Sequence, residues 1–323
     1  MIITKILDGI NKIDEAIRIS SDSLIAGSPI VFPTETVYGV GSLIFNENSI
    51  RKVFEVKNRN IGNPLSAHIS SFDDVQHLCS NIPEDFWKLA DKFLPGPISI
   101  VLNRNNTVSD LVTGNIQSLN IRMPDHELFK LLSKAVGQPI AGTSANLSGR
   151  PSANSALVAY DDLNGKVEYI LDGGKCKYSI ESTVLSMIGE DPILVRPGVI
   201  DQRDIEKVLG KKIISSDKNL VKVNNSNQSA IINTNYKIFI SESIDELNDY
   251  IIQNTKKILI LLSKENYPNV LHDYKINLSA DTLFESLRYA EKNNFDEIII
   301  LFDNFVNNLE LIKHRLKFAE KLK

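Results

Sequence analysis

Five basic residues give this sequence its first chemical signal. Lys57, Arg59, Arg122, Arg150 and Arg196 each stand at the end of an apolar element or beside a Gly/Pro turn. Ligands collect at strand ends in open α/β sheets. For any one of these residues taken alone, solvated surface charge is the competing reading. Arg196 resists that reading, because it falls between Val195 and Pro197-Gly198, where a charge ending a hydrophobic strand needs a partner. Phosphate oxygens suit a guanidinium, which binds them through paired hydrogen bonds.

Around these charges lie small polar residues. Gly142-Thr143-Ser144-Ala145-Asn146 follows an apolar strand, and Ser148 to Ser152 extends the loop. Small residues let the backbone approach a ligand while Ser and Asn supply hydrogen bonds, although an ordinary Ser/Asn turn fits equally. Glu181-Ser182-Thr183 opens another strand after Asp172-Gly173-Gly174. Ser182 could meet a substrate carboxylate or simply cap that turn. Thr34 and Thr36 flank Glu35 after a buried strand, where they could line a pocket mouth or merely follow strand propensity. His68 sits in an alternating strand, where a half-buried structural histidine is the plain alternative.

Other chemistries find little support. No histidine neighbours either serine, so no triad can be argued. Cys79 and Cys176 are the two cysteines and lie far apart, without metal-knuckle or redox spacing. The five histidines form no cluster, and no metal site from protein side chains is expected. What remains is positioning plus charge neutralisation, the profile of nucleotidyl transfer.

The elements that must position these residues follow from periodicity. Helices are expected over 11–26, from the Asn46 cap to about Lys57, over 84–93, 127–136 and 155–163. Strands are expected over 29–32, 65–69, 98–102, 118–122, 140–142, 167–171, 183–187 and 193–196. That makes a mixed α/β domain over 1–210. Residues 211–236 are polar and read as a linker. Residues 237–323 alternate strand 237–240, helix 244–254, strand 258–262, helix 282–292, strand 297–302 and helix 309–322. Short apolar strands between helices imply a small C-terminal doubly wound, Rossmann-like α/β domain. It has neither GxGxxG nor GxxxxGK, which argues against a nucleotide site there.

Whole-chain properties agree. A length of 323 residues suits two cores, and 42% hydrophobic with 24% charged residues is ordinary for a globular protein. The net charge is -4. Residues 1–210 carry 20 Lys and Arg against 25 Asp and Glu, and the remainder 16 against 15. A basic site must therefore be local. The amino terminus shows no secretory pattern, and no apolar run approaches the ~20 residues of a membrane span. The expectation is a cytoplasmic protein without membrane contact.

The same residues, in order and spacing, resemble the YrdC-type threonylcarbamoyl-AMP synthases. The motifs are 33–41 (PTETVYGVG), Lys57-Asn58-Arg59, Asn63-Pro64-Leu65, His68-Ile69 and Pro95-Gly96-Pro97. They continue with Arg122-Met123-Pro124, 143–149 (TSANLSG), 181–184 (ESTV) and Arg196-Pro197-Gly198. The resemblance runs over about 20–210, and the linker and small domain are similar to the longer, two-domain form. It implies a YrdC-like twisted mixed sheet and a reaction of L-threonine, bicarbonate or CO2, and ATP to threonylcarbamoyl-AMP and pyrophosphate. The product would pass to separate tRNA threonylcarbamoyl transferase proteins, which modify the adenosine beside the anticodon in tRNAs reading codons that begin with A.

Carried over by motif, Thr36, His68, Arg122, the Gly142 backbone and Ser182 would hold threonine. Arg59, Asn63, Ser118, Ser144, Ser152 and Arg196 would hold ATP, with Lys57, Arg59 and Arg196 closest to the chemistry and Asn146 a neighbour. Mg2+ would enter with ATP, bridging phosphates. Long-form members carry a linker tyrosine that closes over the nucleotide. The corresponding stretch here, 229–236, lacks the proline, glycine and histidine, and leaves Tyr236 as the candidate lid. Two readings compete: a hydrogenase-maturation carbamoyltransferase, against which the scarcity of cysteine counts, and an RNA- or ribosome-binding module making weak RNA contact.

Overall fold

The computed structural model describes residues 2–215, 235–262, 269–270, 272–301, 309–316 and 320–321. Contacts divide the chain into two compact units, Met1–Ser148 with Ser152–Asn227, and Gly149–Pro151 with Gln228–Lys323. Arg150 thus groups with the second unit.

The first unit is built on one twelve-stranded mixed sheet. In chain order its strands are β1 (Lys5–Asp8), β2 (Ile30–Phe32), β3 (Gly39–Leu43), β4 (Ser66–His68), β5 (Cys79–Ser80) and β6 (Ile98–Arg104). There follow β7 (Ser118–Arg122), β8 (Ile140–Ser144), β9 (Tyr169–Asp172), β10 (Thr183–Ser186), β11 (Ile193–Arg196) and β12 (Ile214–Ser215). They lie in the order β1-β9-β2-β3-β8-β4-β7-β6-β10-β11-β12, with β5 on β6. Parallel pairs such as β4 with β7 and β6 with β10 alternate with antiparallel ones such as β6 with β7 and β8 with β4.

Register shows what the sheet is for. Cross-strand partners project from the same face. His68 and Ser99 are both opposite Arg122, Val184 is opposite Ser99 and also opposite Arg196. Ser66 is opposite Gly142, Gly41 is opposite Gly142, and Gly39 is opposite Ser144. One face therefore carries His68, Ser99, Arg122, Gly142, Ser144 and Arg196. The residues between them, Ala67, Ile98, Ile100, Leu119, Ile121, Ala141 and Leu185, point the other way into the largest apolar core. A second core, including Phe32, Leu43, Phe129 and Ile140, closes one part of the polar face.

Local signals fix the supporting elements. Asn46 caps the helix Glu47–Lys57 by accepting from Ser49 N at 3.1 Å. That helix ends at Asn58, whose φ of 50° is left-handed, so the chain turns and delivers Arg59 just past Lys57. Helices Glu84–Phe93 and Glu127–Val136 and strands β7 and β11 have the expected bounds.

Several elements escape the sequence reading. β3 (GVGSL) is not among the expected strands, yet it is interior to the sheet. Its glycine content has a steric cause: a Cβ on Gly41 would meet Ala141 O at 2.5 Å. β1 and helices Phe72–Leu78 and Gln202–Leu209 are also unanticipated, being short and largely exposed in pattern. β12 pairs with β11 within the stretch expected to be linker, and residues 216–234 of that stretch lie outside the described residues.

The second unit holds a five-stranded, all-parallel sheet. Its strands β13 (Lys237–Ser241), β14 (Ile258–Leu262), β15 (Lys275–Asn277), β16 (Glu297–Leu301) and β17 (Glu320–Lys321) lie in the order β15-β14-β16-β13-β17. β14 and β16 are buried throughout, as a sheet covered on both faces requires. The expected helix over 309–322 is shorter, Leu309–Arg315, and β17 occupies part of its span. Phe302, the expected last residue of the preceding strand, lies outside the described residues. No helix among the described residues is long and apolar enough to cross a membrane.

Candidate active site

The Pro33-to-Tyr38 segment is a hydrogen-bonded turn rather than strand. Thr34 Oγ1 accepts from Thr36 N and Val37 N, each at 3.2 Å, and donates to Val37 O at 2.6 Å. This folds Thr36 back beside Thr34, with their hydroxyl oxygens 3.1 Å apart. Arg122, from the end of β7, donates through Nη2 to Thr34 Oγ1 at 3.1 Å, to Glu35 Oε2 at 3.1 Å and to Thr36 Oγ1. One nitrogen with two N–H bonds thus faces three acceptors. Arg122 Nε and Glu35 Oε1 have no hydrogen-bond partner among the described residues.

His68 is buried opposite Arg122, its ring 5.4 Å from Phe32 and 6.0 Å from Phe129. Burial, helped by the Arg122 charge, pushes its pKa down to about 3. The ring is therefore neutral near pH 7, and its buried Nδ1 has no partner among the described residues. Gly142 lies on the neighbouring strand. A Cβ there would sit 2.9 Å from Val40 O, so the backbone approach needs glycine.

Ser182 joins this group from β10's entrance. Its Oγ lies 2.8 Å from Ser99 Oγ and accepts from Arg196 Nη2 at 3.2 Å. Arg196 also donates to Ser182 O, from Nη2 at 2.8 Å and from Nε at 3.2 Å. The candidate threonine residue and the candidate phosphate residue are thus in contact. The Pro197-Gly198 turn presses on the same place: a Cβ on Gly198 would lie 2.2 Å from Thr183 N.

Arg59 donates to Pro64 O at 3.0 Å and to Asn63 O at 3.4 Å. Burial lowers its pKa to about 10, which leaves it charged at neutral pH. Lys57 is buried and directs its ammonium to Ser144 O, to Asn146 O at 2.6 Å and to Asn146 Oδ1 at 3.3 Å. All three of its N–H bonds have protein acceptors, so in this arrangement it holds the 144–146 loop. Ser152 Oγ donates to Glu181 Oε1 at 2.7 Å, and Ser118 is buried at the start of β7.

His68, Arg122, Ser144 and Arg196 end strands β4, β7, β8 and β11, while Gly142 lies within β8. Antiparallel neighbours carry strand starts and ends to the same side, and the residues meet across one face. Tyr236 is buried in the second unit, its hydroxyl donating to Leu287 O at 2.9 Å, where it serves that unit's packing.

Three residues were overlooked. Ser99 could have been found, since alternation places it opposite the apolar Ile98 and Ile100. Glu35 was passed over between its threonines. Tyr38 bridges distant loops: its hydroxyl donates to Gly174 O at 2.7 Å and accepts from Gly173 N at 3.0 Å, and its backbone pairs with Ala153 and Ala145. No local pattern announces that role. Among the described residues no cluster of three or more His, Cys, Asp or Glu could hold a metal ion.

The Sua5/YciO/YrdC family model, described as telomere recombination, matches residues 22–198. The threonylcarbamoyl-AMP synthase of Bacillus subtilis is 33% identical over 312 residues, covering 91% of this chain and 90% of that one. That of Pyrococcus abyssi is 42% identical over 195 residues, covering 60% of this chain and 57% of the other. The crystal structure of P. abyssi Sua5 complexed with L-threonine superposes with a TM-score of 0.84 at 30% identity, covering 100% of both chains.

Proposed function

Since the chain belongs to the Sua5/YciO/YrdC family, in the two-domain form of the threonylcarbamoyl-AMP synthases, we propose that it makes L-threonylcarbamoyl-AMP and pyrophosphate on the polar face of its large sheet. The substrates are L-threonine, bicarbonate or CO2, and ATP with its Mg2+. The observation that carries the residue assignment is the contact of Arg196 with Ser182, which joins a carboxylate-binding group around Arg122 to a phosphate-binding group.

Threonine enters with its carboxylate on Arg122, beside the Thr36 hydroxyl. Neutral His68 offers a ring nitrogen without adding charge. The threonine ammonium loses one proton to solvent, its nitrogen bonds to the carbon of CO2 as a C=O π pair moves onto oxygen, and a second N–H proton leaves to solvent to give the carbamate. A carbamate oxygen then attacks the α-phosphorus of ATP; an O–P bond forms, and the bond to the β-phosphate oxygen breaks with pyrophosphate leaving. Arg59 and Arg196 offset charge on the phosphates through fixed guanidinium donors. Ser144, Ser152, Ser118 and Asn63 contribute hydrogen bonds to the nucleotide. Lys57 acts through the loop it clamps. No side chain serves as nucleophile, so the acceleration comes from placing three reactants and neutralising charge. The product serves threonylcarbamoyl-adenosine modification of tRNA, transferred by separate proteins.

The test is pyrophosphate release by the purified full chain from MgATP, bicarbonate and threonine. Release should need all three. Release that persists when threonine is omitted would overturn this reading.

A further inference from the structure

The ion pair of Arg122 with Glu35 is a feature that the ligand contacts above do not use. Its Nη2–Oε2 distance is 3.1 Å, and the side chains are 7% and 4% exposed, so both charges are out of water. Glu35 is fixed from other sides too. Asp125 N donates to its Oε2 at 3.2 Å, and Tyr178 N donates to its backbone oxygen at 3.0 Å. Of the other titratable groups facing the pair, the two histidines and the thiol are neutral near pH 7. Burial lowers His68 to about 3 and depresses His126, and it raises the Cys176 thiol to about 12. Asp125 and Glu127 are exposed. Around Arg122 the interior therefore holds one buried ion pair, Arg122 with Glu35.

An arginine alone would hold any carboxylate. Beside Glu35, an incoming carboxylate without a compensating charge adds a second negative group in a medium of low dielectric. An α-amino acid brings its own compensation. Within the pair, buried Glu35 Oε1 and Arg122 Nε have no hydrogen-bond partner among the described residues. We propose that Glu35 is a specificity-determining residue, whose charge makes this pocket select the threonine zwitterion over the α-hydroxy acid of the same shape. Glu35 acts through Arg122 and through the charge balance. The inference rests on the threonine reading given above.

Titration calorimetry of the full chain with L-threonine and with 2,3-dihydroxybutanoate, which replaces the ammonium by a hydroxyl, tests it. The wild type should prefer threonine by about tenfold or more. Glu35→Gln keeps size and an acceptor but removes the charge. It should narrow that preference by about tenfold, weakening threonine and strengthening the hydroxy acid, with the KM for MgATP unchanged. Equal weakening of both ligands would mean a merely structural role and would overturn the proposal. So would a wild type that binds both equally. If Glu35→Gln does not fold, Glu35→Asp decides, because it keeps the charge and must keep the preference; its loss there counts against the proposal. A wild type that binds the hydroxy acid but gives no heat with threonine would instead overturn the threonine reading itself.

Discussion

Lys57 and Asn146, far apart in sequence, form a clamp: the Lys57 ammonium lies 2.6 Å from Asn146 O and 3.3 Å from Asn146 Oδ1 while also donating to Ser144 O. The side chain is 1% exposed, and burial, with the Arg59 charge adding to it, pulls its pKa well below the usual ammonium value. Lys57→Met keeps length but removes all three donors from Ser144 O, Asn146 O and Asn146 Oδ1. We expect a loss of about 2–4 kcal/mol, read from urea denaturation, and a raised KM for MgATP because Ser144 rides on this loop. An unchanged midpoint would mean the clamp contributes nothing.

Arg122→Met leaves Glu35 as an uncompensated buried carboxylate. The expected cost is about 3–5 kcal/mol, and the double variant Glu35→Gln/Arg122→Met should regain part of it. Neither should make threonylcarbamoyl-AMP. Strict additivity in the double-mutant cycle would contradict the coupling seen at 3.1 Å.

Arg59→Ala and Arg196→Ala should stay folded and lose pyrophosphate release by about 100-fold or more, the scale of removing one preorganised donor from a charge-stabilising site. Arg196→Ala should also weaken threonine binding, since its guanidinium holds Ser182 through carbonyl and hydroxyl oxygens. Near-wild-type release in both variants would place the phosphate site elsewhere.

Gly198→Ala adds a methyl group 2.2 Å from Thr183 N and 2.4 Å from Ser182 C. Backbone must move, at a cost of about 1–3 kcal/mol. Because the displaced strand begins at Ser182's neighbour, activity should fall together with thermal stability. A variant with full activity and an unchanged midpoint would show that the turn is looser than it stands.

His68 links stability to acid. Its folded pKa, about 3, lies below the ordinary 6.5, so the unfolded chain binds the proton first. The stability this burial confers is fully present above pH 6.5 and is lost as pH falls through that value towards 3, by about 2–5 kcal/mol. His68→Gln cannot take up that proton. Denaturation midpoints measured from pH 7.5 to 4 should fall more steeply for the wild type; parallel curves would rule out the linkage.

Much of this molecule is legible in one dimension. Helix Glu127–Val136 and strand Ser118–Arg122 show their period and their boundaries, because one face of each packs on a core. Asn46 announces a helix through its own side chain. The strand Gly39–Leu43 stays hidden, since its glycines are dictated by a strand distant in sequence. Tyr38 is hidden for the same reason: its partners at Ala145, Ala153 and Gly174 are brought to it only by the fold.

By itself the sequence determined the chemical inventory: basic and hydroxyl side chains in a fixed order, without a triad or a cysteine framework, on an α/β chain with a second small domain. Those are properties of residue type and spacing, which composition and periodicity preserve. Tertiary structure decided which residues meet. Cross-strand register put Ser99 opposite Arg122 and Arg122 opposite His68, and it folded Glu35 onto the guanidinium. Pairing of that kind depends on how strands separated by tens of residues align, and on charges whose cost of burial is set by surroundings that no local window contains.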